Sequence, residues 1–264
     1  MSESPVDAPV LLRREGGIAV LTLNRPQRRN AMSRSMQAAL YEQLYALSKE
    51  ADCRAIVLEG AGGCFCAGGD FEDNEGKIRN SVEGRVRLMA SARLIELLLT
   101  GPKPVIAAVE GHAYGAGLAI ALACDYIVGA ADAKFCAALS RLGLAGELGL
   151  TWTLPRRVGM GRTKQLLMLS KVVTGEAALA MNLVDECSAS GGALDSALAM
   201  AAEFAQAPPL AVAYTKAALA QGHATPAAAM ATEHDYQGAL YTSRDHANAV
   251  IALFKKRQPE FKGE

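Results

Sequence analysis

Residues 104 to 124 read Pro104-Val-Ile-Ala-Ala-Val-Glu-Gly-His-Ala-Tyr-Gly-Ala-Gly-Leu-Ala-Ile-Ala-Leu-Ala-Cys124. Pro104 to Val109 is a short apolar run bounded by turn residues, which reads as a buried strand. Gly111-His-Ala-Tyr-Gly-Ala-Gly117 reads as a turn. Leu118 to Cys124 reads as the helix that this turn feeds, and Tyr126-Ile-Val128 as the next strand. Strand, glycine turn, helix and strand in succession are the signature of an α/β fold.

The same grammar extends towards the N-terminus. Ile18-Ala-Val-Leu-Thr-Leu23 is a strand closed by Asn24-Arg-Pro26. Ser33 opens an amphipathic helix with Met36, Leu40, Leu44 and Leu47 on one face. Ala55-Ile-Val-Leu58 is a buried strand that runs into a second glycine-rich segment, Gly60-Ala-Gly-Gly-Cys-Phe-Cys-Ala-Gly-Gly-Asp70. Glu72 to Asn80 is polar and expected to be mobile. Val82 to Thr100 is a helix stopped by Gly101-Pro102. From Leu194 the pattern changes to helices only. Pro208-Pro209 separates two of them, Thr225 caps a third with Pro226 at its first position, and Ser243 starts the last. That helix is expected to end near Arg257, with Lys255, Lys256 and Arg257 in its final turn, where cations suit the helix dipole.

Composition narrows the function. The chain has 264 residues, 51% of them hydrophobic, enough for a full core. Lys and Arg total 27 and so do Asp and Glu, so no global charge points to nucleic acid or to disorder. No apolar run approaches the roughly 20 residues of a membrane span. The first residues, Met1 to Pro9, lack the basic and apolar regions of a signal peptide. The six cysteines are too sparse for a disulfide scaffold, so reduced thiols and a cytoplasmic location are expected. Cys64-Phe-Cys66 has poor zinc spacing and no matching Cys/His pair, so no metal site is expected.

The two glycine turns share a chemical property. Each leaves a strand and exposes backbone amides where side chains are minimal: Ala67-Gly-Gly-Asp70 in one, Gly115-Ala-Gly117 at a helix start in the other. A helix N-terminus presents unpaired N–H groups with a partial positive charge. Two such amides converging on one point make an oxyanion hole. Tight turns alone, or phosphate binding, are the competing readings, although neither turn has dinucleotide or P-loop spacing.

The chain resembles the crotonase superfamily, also called the enoyl-CoA hydratase/isomerase family, over nearly its whole length. The matching pieces are Leu23-Asn-Arg-Pro26 with Asn30-Ala31, Phe65-Cys-Ala-Gly-Gly-Asp70, and Lys103-Pro-Val-Ile-Ala-Ala-Val-Glu-Gly111. They continue with Gly115-Ala-Gly117, Ala123-Cys-Asp125, Leu154-Pro-Arg156 with Val158-Gly159, and Lys256-Arg257. The acidic, polar N-terminus reads as a disordered leader, drawn over 1–12, and the resemblance implies a spiral of ββα turns, with a spiral α/β acyl-CoA-binding core over 13–193 and a helical trimerisation region over 194–264. It implies a homotrimer or dimer of trimers, and an acyl-CoA substrate that brings coenzyme A with it and needs no separate cofactor. It places the oxyanion donors at Gly69 and Ala116, with Gly117 as the alternative if the turn is shifted by one. CoA contacts fall on Arg25, Arg28, Arg29 and Lys256, and on the turn residues Ala67, Gly68, Asp70 and Gly117. Asp70 also reads as a turn cap.

Side chains must decide the reaction. The two glutamates of typical hydratases match Ala119 and Leu139 here, and neither moves a proton. Glu147, within Gly143-Leu-Ala-Gly-Glu-Leu-Gly149, matches the position where the 3-enoyl-CoA to 2-enoyl-CoA isomerases place a single carboxylate. Isomerisation needs only one base, which takes a proton from C2 and returns it at C4. The expectation is therefore an isomerase of fatty-acid or aromatic-acid degradation. Alternatives are a hydratase of the same family and a non-catalytic acyl-CoA or RNA-binding relative. A serine hydrolase using Ser140 and His112 lacks a Gly-x-Ser-x-Gly elbow.

Overall fold

The computed structural model describes residues 8–71 and 80–264. Its order is β1 (Val10–Glu15), β2 (Ile18–Leu23), α1 (Arg34–Lys49), β3 (Ala55–Gly60), α2 (Ser81–Thr100), β4 (Val105–Val109), β5 (His112–Tyr114) and α3 (Ala116–Ala123). There follow β6 (Tyr126–Ala130), β7 (Lys134–Cys136), α4 (Leu150–Leu169), β8 (Val173–Thr174), α5 (Gly175–Ala180) and β9 (Glu186–Ser188). The chain finishes in α6 (Ala193–Gln206), α7 (Pro209–Gln221), α8 (Pro226–Tyr241) and α9 (Arg244–Phe254).

The main sheet has the order β1-β2-β3-β4-β6-β9, with β1 antiparallel to β2 and the other neighbours parallel. A second sheet, β5-β7-β8, runs alongside. Each of β4 and β6 is followed by a short strand in this second sheet, β5 and β7, and then by helix, so the chain advances in ββα turns. A parallel sheet is covered on both faces, which is why all five residues of β4 are buried. Alternate residues divide between two apolar clusters. Leu21, Ile56, Leu58 and Ala107 face α1, α3 and the rest of the main core, with Met36, Leu40, Leu44 and Leu47 of α1 filling it. Val20, Val57, Ile106 and Val128 face Ala193, Ala197 and Ala201 of α6. Alanine on that helix face lets α6 lie close to the strands.

Three expectations need correction. The leader was drawn to residue 12, but the sheet begins at Val10, which is buried and pairs with Leu23. Residues 1–7 lie outside the described residues, as do residues 72–79, where the polar segment was expected to be mobile. The helical region was drawn from residue 194, yet α6 seals one face of the main sheet and so belongs to the core packing. The last helix ends at Phe254, with Lys255 as its cap and Lys256 at φ 53°, so Lys256 and Arg257 lie beyond the final turn.

Helices α7 to α9 are held differently. α7 is anchored by Lys216, whose Nζ donates to the Asp125 carboxylate at 2.6 Å and to the Lys103 carbonyl at 3.0 Å. α8 buries no residue. Leu219, Leu253 and Phe254 are 74%, 75% and 82% exposed, an apolar surface that the described residues leave open. Among the described residues no helix is long and apolar enough to cross a membrane.

Candidate active site

The two glycine turns are stitched together by backbone hydrogen bonds. Phe65 N–H donates to the Glu110 carbonyl and Cys66 N–H to the His112 carbonyl, both at 2.8 Å, and Tyr114 N–H donates back to the Cys66 carbonyl at 3.0 Å. Residues 112–114, read from sequence as turn, are therefore the strand β5, which also pairs with β7. Glycine is required where the turns meet. A Cβ on Gly117 would lie 2.4 Å from the Cys66 carbonyl oxygen, well inside ordinary contact. Gly115 has φ 48° and Gly68 φ 112°, angles that favour glycine, and a Cβ on Gly115 would come 3.9 Å from the Gly68 Cα.

Gly69 and Ala116 sit at this junction. Among the described residues neither backbone N–H donates a hydrogen bond. A Cβ built on Gly69 would meet nothing within 4 Å, so the turn faces open space there. Ala116 is the first residue of α3, where the N–H has no partner within the helix. Its φ is not positive, so alanine brings no backbone strain there. Three residues on, Ala119 is fully buried, and Leu139 is 5% exposed. The two positions that the resemblance matches to hydratase carboxylates thus hold packed apolar groups.

Glu147 lies in the short connection before α4. Its carbonyl accepts the Leu150 N–H at 3.0 Å, and Leu148 and Gly149 take φ 51° and 79°, so a tight turn holds it at the helix entrance. The carboxylate is partly buried and meets no hydrogen-bond donor among the described residues. Burial pushes its pKa above the ordinary carboxylate range, with the Arg87 guanidinium pulling the other way. It opens into a cavity of about 510 Å³ between α2, α4 and α7, walled by Leu88, Ile95, Leu99 and Trp152. Sequence reading did not identify this cavity. Its trace was the apolar spacing of Leu88, Ala92, Ile95 and Leu99 along α2.

The remaining candidates divide. Arg25 Nη1 pairs with the Asp70 carboxylate at 2.7 Å and also donates to the Ala31 carbonyl at 2.8 Å. Both side chains are largely buried, so this pair ties the end of β2 to the first turn, which accounts for Arg25 and Asp70 without a ligand. Ala67 N–H is used by the Arg29 carbonyl at 3.0 Å, and the Gly68 carbonyl accepts Met32 N–H at 2.7 Å. These two residues shape the turn. Arg28 and Arg29 are exposed beside it. Lys256 is exposed beyond α9, and its side chain forms no hydrogen bond or ion pair among the described residues. Ser140 Oγ contacts Ser170 Oγ at 2.6 Å, whereas His112 stacks edge-on with Tyr114, so no Ser–His pair forms. Among the described residues there is no group of three His, Cys, Asp or Glu side chains placed to hold a metal ion.

Residues 13–264 match the sequence profile of the enoyl-CoA hydratase/isomerase family. The chain belongs to this family. Similar members include a Rhodobacter capsulatus protein named "Probable enoyl-CoA hydratase", 38% identical over 94% of this chain and 95% of that protein. Another is the 1,2-epoxyphenylacetyl-CoA isomerase of Escherichia coli K12, 35% identical over 97% of this chain and 98% of that protein. The crystal structure of an enoyl-CoA hydratase from Polaromonas sp. JS666 superimposes with a TM-score of 0.89 at 32% identity, covering 96% of this chain and 99% of that one. The crotonase-type fold and an enzyme of the enoyl-CoA hydratase/isomerase family are thereby established. Hydratase names predominate among these relatives, with an isomerase name beside them.

Proposed function

We propose that this enzyme moves the double bond of a 3-enoyl-CoA to the 2-position, with Glu147 as the sole proton carrier. The observation that carries the reading is the contrast between carboxylates. Glu147 is desolvated at the edge of an apolar cavity, while buried Ala119 and Leu139 stand at the two positions that the resemblance matches to the paired glutamates of hydratases. Glu147 takes a proton from C2. The resulting dienolate places its charge on the thioester oxygen, where the Gly69 and Ala116 N–H groups stabilise it. The protonated carboxyl then delivers the proton to C4. A raised pKa suits this, because the group must be both a competent base and a competent acid within one turnover.

The CoA phosphates are assigned to Arg28 and Arg29, which stand exposed beside the first turn. Lys256 joins them if the chain end is brought near by assembly. Ala67, Gly68, Asp70, Arg25 and Gly117 act by shaping the turns. A homotrimer or dimer of trimers would cover the open apolar surface of α7 to α9. A cytoplasmic enzyme with no cofactor beyond the substrate's own CoA completes the reading, in fatty-acid or aromatic-acid degradation.

A hydratase is the second reading, favoured by the name of the 38% identical relative. The 35% identical relative is named an isomerase of a 1,2-epoxyphenylacetyl thioester, so its name shows isomerase chemistry on a different group and does not bear on a 3-enoyl double bond. The test is a panel of 2-enoyl and 3-enoyl thioesters, with conjugation followed by absorbance and water uptake by mass. Conjugation of 3-enoyl-CoA without 3-hydroxyacyl product supports isomerisation. Efficient hydration of 2-enoyl-CoA with no conjugation of 3-enoyl-CoA refutes it.

A further inference from the structure

The cavity reached by Glu147 does not include the Gly69 and Ala116 turns in its walls. A thioester oxygen held at those amides, with its reacting carbons at Glu147, leaves the cavity to whatever follows C4. Its size exceeds the need of a short chain. At about 30 Å³ per water-sized group, 510 Å³ holds on the order of fifteen such groups, whereas a four-carbon acyl group ends at Glu147 itself.

The wall chemistry is one-sided. Leu88, Ile95, Leu99 and the Trp152 indole supply apolar surface. Among the described residues Leu88 remains 43% exposed. Trp152 is fixed in place: the Arg156 guanidinium stacks 3.7 Å from its ring centroid, and Arg156 Nη1 donates to the Trp152 carbonyl at 3.0 Å. Among the described residues, the only charged groups in the wall are two carboxylates, Glu147 and Glu96. Arg87 acts on Glu147 from α2, but neither it nor Arg156 lines the space.

We infer that this cavity selects thioesters whose acyl tail extends well beyond C4 and is uncharged, with Trp152 as the residue that grips the tail and Glu96 as the one that rejects a terminal carboxylate. The inference rests on the placement of the thioester at Gly69 and Ala116, and of the reacting carbons at Glu147, under Proposed function. An uncharged tail gains by removing apolar area from water, by at most about fourfold per fully buried methylene. A tail ending in carboxylate must lose hydration against apolar walls and beside a like charge.

The test is calorimetric binding of three saturated thioesters to the assembled enzyme at low salt: butyryl-CoA, octanoyl-CoA, and suberyl-CoA, whose eight carbons end in carboxylate. Octanoyl-CoA is expected to bind at least tenfold more tightly than either of the others. Trp152→Ala should weaken octanoyl-CoA at least fivefold and butyryl-CoA less than twofold. Glu96→Gln should narrow the octanoyl-to-suberyl ratio at least twofold. Wild-type gaps smaller than tenfold overturn the inference, with no variant needed to fold. Equal losses for octanoyl- and butyryl-CoA in Trp152→Ala would remove Trp152 from it, and an unchanged ratio in Glu96→Gln would remove Glu96. None of the three probes can isomerise, so an absent isomerase activity with this binding pattern intact would refute only the proposed reaction.

Discussion

Two glycines at the junction of the turns should respond in opposite ways to the same added methyl. In Gly117→Ala the new Cβ meets the Cys66 carbonyl oxygen at 2.4 Å, Cys66 Cβ at 2.7 Å and the Cys66 carbonyl carbon at 3.1 Å. All three belong to a residue locked into the bonds that stitch the turns together, so no flexible side chain can yield. Restoring ordinary contact of about 3.5 Å requires the turns to part by roughly 1 Å. Overpacking of this kind destabilises by about 1–3 kcal/mol, and a misplacement of about 1 Å between catalytic groups lowers turnover on the order of a hundredfold. Gly69→Ala meets no atom within 4 Å. It should fold with unchanged or slightly higher stability, since alanine restricts the unfolded chain by about 0.4–1 kcal/mol. Its methyl enters the space where the thioester sits, so binding should weaken. Thermal unfolding and steady-state kinetics on both variants separate the two cases. A Gly117→Ala enzyme with wild-type Tm and kcat would show that the turns need not touch, and the two-amide argument would fail.

Glu147→Gln should lower isomerisation at least about a hundredfold, the lower end of general acid–base contributions, with little change in thioester affinity. The wild-type rate should rise with pH through a value above the ordinary carboxylate range, because the base works ionised and burial lifts its pKa. The same shift sets a stability sign. Above the folded pKa the buried charge weakens the wild type, so Glu147→Gln should be the more stable protein near neutrality, and denaturant titration should find that gain gone below about pH 4.3, the ordinary glutamate pKa. Lys216→Met leaves Asp125, among the described residues, with the Val105 N–H as hydrogen-bond donor and the Arg157 guanidinium as a more distant cation. The cost should be about 3 kcal/mol, low in the range for breaking a buried pair because the Asp125 side chain is 24% exposed. That cost should shrink in acid as Asp125 becomes protonated.

Much of the core was legible because its elements carry strong local signals. α1 has both its Ser33 cap and its apolar stripe in sequence, and the buried parallel strands β2, β3 and β4 read as continuous apolar runs. β1 was missed because an edge strand buries little: of Val10-Leu-Leu-Arg-Arg-Glu15 only Val10 is buried. The strands β5, β7 and β8 span three residues or fewer, too few for a period to register. Within the site, the amide turns stood out because glycine leaves their backbone bare, and Glu147 because the resemblance matches it to a single-carboxylate position. The cavity is assembled from three helices, so the apolar spacing along α2 shows one wall and not the space. The Arg25–Asp70 pair joins residues 45 apart in sequence and leaves no local pattern. Arg25 looked like a free cation for the same reason.

The central claim is that one carboxyl group carries a proton from C2 to C4, and it is tested most directly by isotope transfer. A 3-enoyl-CoA deuterated at C2 is turned over once in ordinary water, and the 2-enoyl product is read by NMR and mass. Wild-type enzyme should deliver part of the deuterium to C4, and no 3-hydroxyacyl-CoA should form. A product with no deuterium at C4 beyond that from Glu147→Gln, or one dominated by 3-hydroxyacyl-CoA, would contradict it.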